Sequence, residues 1–280
     1  MIIDFRMRPP FGGYRSSAIF TNTDFQGPFA RKFGFELAPS VWKMSMALML
    51  EEMAEAGIDK AVVPVRRLAN AQVTNEELLE FLQMQGKDKF YGMAGVDPLE
   101  GEGALEEIER YIVNGPCVGL TLEPGYCFKP LKADDEILYP IYEKCQRENI
   151  PIFLSFGGLV GPYMEYNNPI FVDHVAADFP DLKLILAHGG YPYVTQSCYV
   201  AFSRPNVYLV PDFYATRVPG GDQYMQAAQW ISDKIIFGSG YPIQPLKGMV
   251  DYYREKLTPD IFEQVAYKNA AKILNLESIQ

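Results

Sequence analysis

The groups in this chain that could do chemistry stand at the ends of short apolar runs. His188 follows Leu184-Ile185-Leu186-Ala187, and an imidazole suits proton transfer because its unperturbed pKa of ~6.5 lies near working pH. Its alternative is to bond a neighbouring carboxylate and serve structure only. Glu123 follows Gly119-Leu120-Thr121-Leu122, and Asp212 follows Tyr208-Leu209-Val210-Pro211. Each could be a general base or a hydrogen-bond partner, or could neutralise a nearby cation. Arg6 and Arg8 end the first apolar run two residues apart, and with Asp4 they share the parity that turns side chains to one side of a strand. Buried guanidiniums require negative partners, since an unpaired buried charge costs several kcal/mol. Asp4, Asp97, Glu123 and Asp212 could supply them. So could a substrate carboxylate, which arginine grips bidentately. Arg66, with Arg67 beside it, closes a second run and adds to the cationic side. Tyr126 and Tyr214, just beyond Glu123 and Asp212, join the expected substrate-binding set. His174, the other histidine, falls inside a helix-like stretch and reads as structural.

These groups converge only if the elements between them repeat, and the chain reads as a repeat of β-branched runs and amphipathic segments. Strands are expected near 2–6, 60–65, 89–95, 117–122, 151–155, 183–187, 206–211 and 234–238. Helices are expected near 40–56, 74–85, 104–113, 134–148, 168–179, 192–203, 222–231, 246–257 and 260–275. That alternation predicts a parallel sheet with crossover helices, and eight strands is the count of an α/β (β/α)₈ TIM barrel. Thr74-Asn75-Glu76-Glu77 has the form of a helix N-cap. Residues 9–39 form a long loop with Pro9, Pro10, Gly12, Gly13 and seven aromatic residues. In a barrel this loop leaves the C-terminal mouth, where it would be a lid over the pocket, an oligomer contact or a packed surface loop.

Ile2-Ile3-Asp4-Phe5, Phe179-Pro180-Asp181-Leu182-Lys183-Leu184-Ile185-Leu186-Ala187-His188-Gly189-Gly190, Ile236-Phe237-Gly238-Ser239-Gly240-Tyr241-Pro242 and Asn269-Ala270-Ala271-Lys272-Ile273-Leu274 occur in that order. In order and spacing they resemble the amidohydrolase-related family, which includes aminocarboxymuconate-semialdehyde decarboxylase, resorcylate-type decarboxylases and dicarboxylate lactonases. The resemblance runs the whole length and implies the barrel. It also implies that His188 matches the family histidine that handles protons or polarises the reacting group. The family's metal ligands, however, are replaced. Its His-x-His pair on the first strand reads Arg6-Met7-Arg8, its fifth-strand His is Ser155, and its eighth-strand Asp is Gly240. Cationic guanidiniums cannot ligate a metal and repel one, so no cofactor is expected and the zinc or manganese site should be lost. Ser155 then joins the substrate-binding residues. Gly189-Gly190 could let backbone amides approach an oxyanion.

The net charge of −10 and the absence of a Lys/Arg-rich run argue against nucleic acid or an anionic membrane as partner. A small-molecule carboxylate is the expected partner, with a homo-oligomer left open. Four cysteines without CxxC spacing point to reduced thiols in a cytoplasm, and no signal-peptide pattern is visible. One domain over 1–280 is expected. The leading functional expectation is a metal-independent hydrolase of amidohydrolase type acting on a small carboxylated substrate, a lactone or an aromatic-derived acid. The alternatives are a non-oxidative decarboxylase of the same family, or a catalytically dead barrel that binds an anionic metabolite or a protein partner.

Overall fold

Seven of the apolar runs pair in sequence order into one parallel sheet. The strands are β1 (Ile3–Asp4), β2 (Lys60–Pro64), β3 (Phe90–Gly95), β4 (Gly119–Leu122), β5 (Ile152–Ser155), β6 (Leu184–Ala187) and β7 (Val207–Val210). The computed structural model describes residues 1–68, 71–86 and 88–276. The expected eighth strand is a looser segment, because Gly238-Ser239-Gly240 interrupts its extended run. It nevertheless closes the ring: Ile236 N–H donates to Leu209 O at 2.8 Å, and Phe5 N–H donates to Phe237 O at 2.9 Å. The sheet is therefore a curled, nearly closed TIM barrel.

Alternation along each strand separates two apolar layers. Val62, Met93, Phe153, Ile185 and Val210 fill the interior, where Ala270, Ala271 and Ile273 of the C-terminal helix join them. Ala61, Val63, Leu154, Leu186 and Leu209 face outward under the helices. Parity then positions the mouth. Arg66 continues the inward side of Val62, Glu123 that of Thr121, Ser155 that of Phe153 and Asp212 that of Val210. Arg67, one residue out of phase with Arg66, turns away and pairs with Glu100 and Glu107.

The first strand departs from simple alternation. Ile3 and Phe5 belong to the interior, yet Met7 belongs to the outer layer together with Ile2, so the phase slips by one residue at the bend at Phe5. Arg6 and Arg8 keep a common side, as expected, but Asp4 does not share it with them. Asp4 accepts the backbone N–H groups of Arg6 (3.0 Å) and Ser239 (2.9 Å), which ties the bend to the eighth segment.

Outside the barrel, the helix Asn75–Gln85 begins with the expected capping box between Thr74 and Glu77. Residues 9–39 are mostly helical: a 3₁₀ turn spans Gly12–Ser16, and α-helices span Ala18–Thr21 and Thr23–Lys32. An aromatic ladder docks the last of these. Phe25 stacks on Phe29, Phe29 meets Phe33, and Phe33 packs edge-on against Phe213 with centroids 4.7 Å apart. No helix among the described residues is long and apolar enough to cross a membrane.

Candidate active site

Strand ends and the helix Thr23–Lys32 together enclose a cleft of about 160 Å³ at the C-terminal mouth. The cleft is half open, and its volume is close to the ~150 Å³ of a closed cavity that holds benzene. One side is polar, with Arg6, Arg8, Arg66, Tyr126, His188 and Tyr214. Ile19, Phe25, Phe29, Phe213 and Ile243 form an apolar wall.

Two carboxylates lie behind the arginines. Glu123 receives Arg66 Nε at 2.7 Å, Arg66 Nη2 at 2.9 Å and the Ser155 hydroxyl at 2.5 Å. Burial would raise its carboxyl pKa, but Arg66, Arg8 and the Ser155 hydrogen bond outweigh burial and hold it below the ordinary range. The Arg66 guanidinium also lies 4.5 Å from the centre of the Tyr126 ring. Asp212 is fully buried and takes Arg6 Nη1 at 3.3 Å and His188 Nδ1 at 2.9 Å. These contacts are electrostatic, since neither Asp212 Oδ2 nor His188 Nδ1 is in line for a hydrogen bond. Ser155, Glu123 and Asp212 thus hold the residues that face the cleft and do not line it themselves.

His188 Nε2 lies 3.3 Å from Arg6 Nη2. Guanidinium can only donate, so Nε2 carries the lone pair and the proton is on Nδ1, 2.9 Å from Asp212. Burial, with the charges of Arg6 and Arg8, lowers the His188 pKa against the pull of Asp212. The resting imidazole is neutral. His188 and Asp212 both sit at left-handed φ, 60° and 46°, a strained conformation for such residues and one that recurs at functional sites. The Tyr214 ring stands edge-on to His188 with centroids 5.1 Å apart.

The three guanidiniums are not equivalent. Arg66 is held by Glu123 bidentately. Arg6 is held by Asp212 and His188, and burial pushes its pKa down to about 10, so it remains charged at neutral pH. Arg8 neighbours the Tyr14 hydroxyl, but its nearest carboxylate oxygen, on Glu123, is 3.8 Å away and is already engaged by Arg66 and Ser155. The Arg8 Nε has no hydrogen-bond partner.

Several sequence expectations are corrected here. Asp97 caps the turn Pro98–Glu100 through Leu99 N–H and does not meet the arginines. Asp4 binds backbone amides and not a guanidinium. Gly190 N–H donates to Phe156 O, so it is not available to an oxyanion. His174, read from the sequence as structural, lies outside the cleft, half exposed and paired with Asp134 at 2.8 Å. Sequence reasoning missed Gln26, which lines the cleft from the helix Thr23–Lys32; nothing in the sequence around it marks it.

The metal centre that the resemblance implies does not fit these residues. Gly240 has φ +74°, and a Cβ there would lie 2.5 Å from Phe213 Cδ1 and 3.1 Å from Arg6 Nη1. The space of an eighth-strand carboxylate is therefore filled by an aromatic ring and a cation. Among the described residues, no group of three or more His, Cys, Asp or Glu is arranged to hold a metal ion. Elemental analysis of the purified protein is expected to find no stoichiometric divalent ion, and chelation should leave thermal stability unchanged. One tightly held zinc or manganese per chain would contradict this.

Residues 43–276 match the model of the amidohydrolase family. Over 99% of both chains, the fold superposes on an uncharacterised TIM-barrel protein from Bordetella bronchiseptica with a TM-score of 0.94 and 36% identity. A 2,6-dihydroxybenzoate decarboxylase from Rhizobium shares the fold at a TM-score of 0.70 and 14% identity, again over 99% of each chain. A 2-keto-4-carboxy-3-hexenedioate hydratase from Sphingobium is 29% identical over 102 residues, a match that takes in 31% of this chain and 30% of the hydratase.

Proposed function

The chain belongs to the amidohydrolase family, and from that premise we propose that it is a lyase acting on a small carboxylated, ring-sized substrate, with non-oxidative decarboxylation as its reaction. The observation that carries this reading is the pairing of an under-engaged guanidinium, Arg8, with a neutral His188 in a cleft that Phe25 and Phe29 also line. Arg8 would grip one anionic group of the substrate. A carboxylate bound for loss as CO₂ belongs against Phe25 and Phe29, because it gives up its charge on leaving and a cation there would only stabilise the ground state.

The proton movements are then assigned to His188. When the substrate oxygen takes over the Arg6 Nη2 hydrogen bond, the freed Nε2 lone pair takes the proton of a substrate hydroxyl, and the oxygen's electron pair moves into the ring. The imidazolium returns that proton to the carbon bearing the carboxylate. The C–C bond breaks, its electron pair restores the ring, and CO₂ and a phenolate leave. No net proton is consumed, and Asp212 stabilises the transient imidazolium. Arg6 and Arg8 would offset the charge developing on oxygen.

Hydrolysis, the leading expectation from sequence, is placed behind decarboxylation because the relatives named for a reaction include decarboxylases and hydratases. The match to the hydratase supports a second reading, in which His188 activates water for addition to an unsaturated carboxylate. The test is incubation with ¹³C-carboxyl-labelled hydroxybenzoates and with unsaturated di- and tricarboxylates in H₂¹⁸O. Labelled bicarbonate is expected. Incorporation of ¹⁸O into an intact carbon skeleton would select hydration. Binding without turnover of either series would leave a ligand-binding barrel.

A further inference from the structure

The guanidiniums supply hydrogen-bond donors to the cleft, but one residue of its lining also carries a buried acceptor. Gln26 is 6% exposed, lines the cleft between Phe25 and Phe29, and its Oε1 has no hydrogen-bond partner. The orientation of the amide follows from its other end: Nε2 donates to Ala18 O at 3.4 Å. A carbonyl cannot donate, so flipping the amide would set two acceptors against each other. The carbonyl oxygen of Gln26 is therefore the end left without a partner.

Resting on the proposed carboxylate chemistry, we propose that Gln26 is a specificity-determining residue, which selects a ligand bearing a hydrogen-bond donor, a hydroxyl group, on the side opposite to the anion that Arg8 holds. A ligand that presents an ether or carbonyl oxygen there would set acceptor against acceptor and leave Oε1 buried and unsatisfied, which costs more than the hydrogen bond itself contributes. Sites built this way discriminate more strongly than apolar pockets, where an added or missing group changes little.

The test uses calorimetric binding of benzoate, the 2-, 3- and 4-hydroxybenzoates and the corresponding methoxybenzoates to the intact protein. At least one hydroxybenzoate is expected to bind about tenfold or more tightly than its methoxy counterpart. Gln26→Met, which keeps length and removes the acceptor, should abolish that difference, and an unchanged melting temperature is the control for folding. Gln26→Leu should behave the same way. If no hydroxybenzoate outbinds its methoxy partner, or the difference survives in both variants, Gln26 does not select the ligand. The proposed function fails separately: benzoate binding that is indifferent to Arg8→Met would remove the carboxylate reading whatever Gln26 does.

Discussion

Replacing Arg8 with Met is expected to weaken binding of a carboxylated ligand by roughly 2–5 kcal/mol, the cost of losing one partner of a desolvated charge pair. The methyl ester or amide of the same ligand should lose far less. The expectation rests on the inequality among the three arginines. Glu123 keeps Arg66 and Ser155 at 2.5–2.9 Å when Arg8 is removed, so no buried charge is stranded. Arg6 is also relieved, because the Arg8 charge is one of the causes that lowers its pKa. Thermal stability should therefore hold or rise. A structural Arg8 predicts the reverse, with a lower melting temperature and equal losses for charged and neutral ligands. Arg8→Lys should fall between Met and wild type, since it keeps the charge and loses the planar fork.

His188→Asn should lower turnover by about 10²-fold or more if the imidazole moves the proton. Asn is the informative substitution because it tolerates the left-handed φ of 60° that position 188 requires. The pH dependence supplies a second readout. Burial and two nearby guanidiniums lower the His188 pKa in the folded chain, whereas the unfolded chain has the ordinary value of ~6.5. The unfolded state therefore binds more protons below that value. The stability contributed by neutral His188 is present above pH ~6.5 and lost as pH falls toward the folded pKa. Activity that needs the Nε2 lone pair should show an acid limb in the same range. In His188→Asn both the limb and that component of acid sensitivity should disappear. Near-normal turnover in the variant would assign His188 to structure.

Much of this is legible in the sequence. The β-branched runs and their spacing located the barrel strands, because a buried parallel strand must be apolar along its length. The Thr74–Glu77 cap was readable because it is a local hydrogen-bond pattern. Arg66, Glu123, Ser155 and Asp212 were readable as mouth residues because strand parity carries past a strand's end. The helix Thr23–Lys32 was not, since Gly27-Pro28 lies in its middle and local propensity speaks against it; its docking comes from Phe29 and Phe33 packing on Phe213, 180 or more positions away in sequence.

By itself the sequence determined the barrel, the exchange of family metal ligands for Arg6, Arg8, Ser155 and Gly240, and the convergence of cations and carboxylates at one mouth. Each of these depends on residue type and period, which are local properties. Only the tertiary structure decided which charge answers which. It turned the first strand by one residue at Phe5, gave Asp4 to backbone amides, Asp212 to Arg6 and His188, and Glu123 to Arg66, and so left Arg8 under-engaged; it also placed Gln26 in the lining of the cleft with an unpartnered carbonyl oxygen. Pairing at a barrel mouth depends on distances of a few ångströms between groups on different strands, and buried Coulomb and hydrogen-bond energies change steeply over that range.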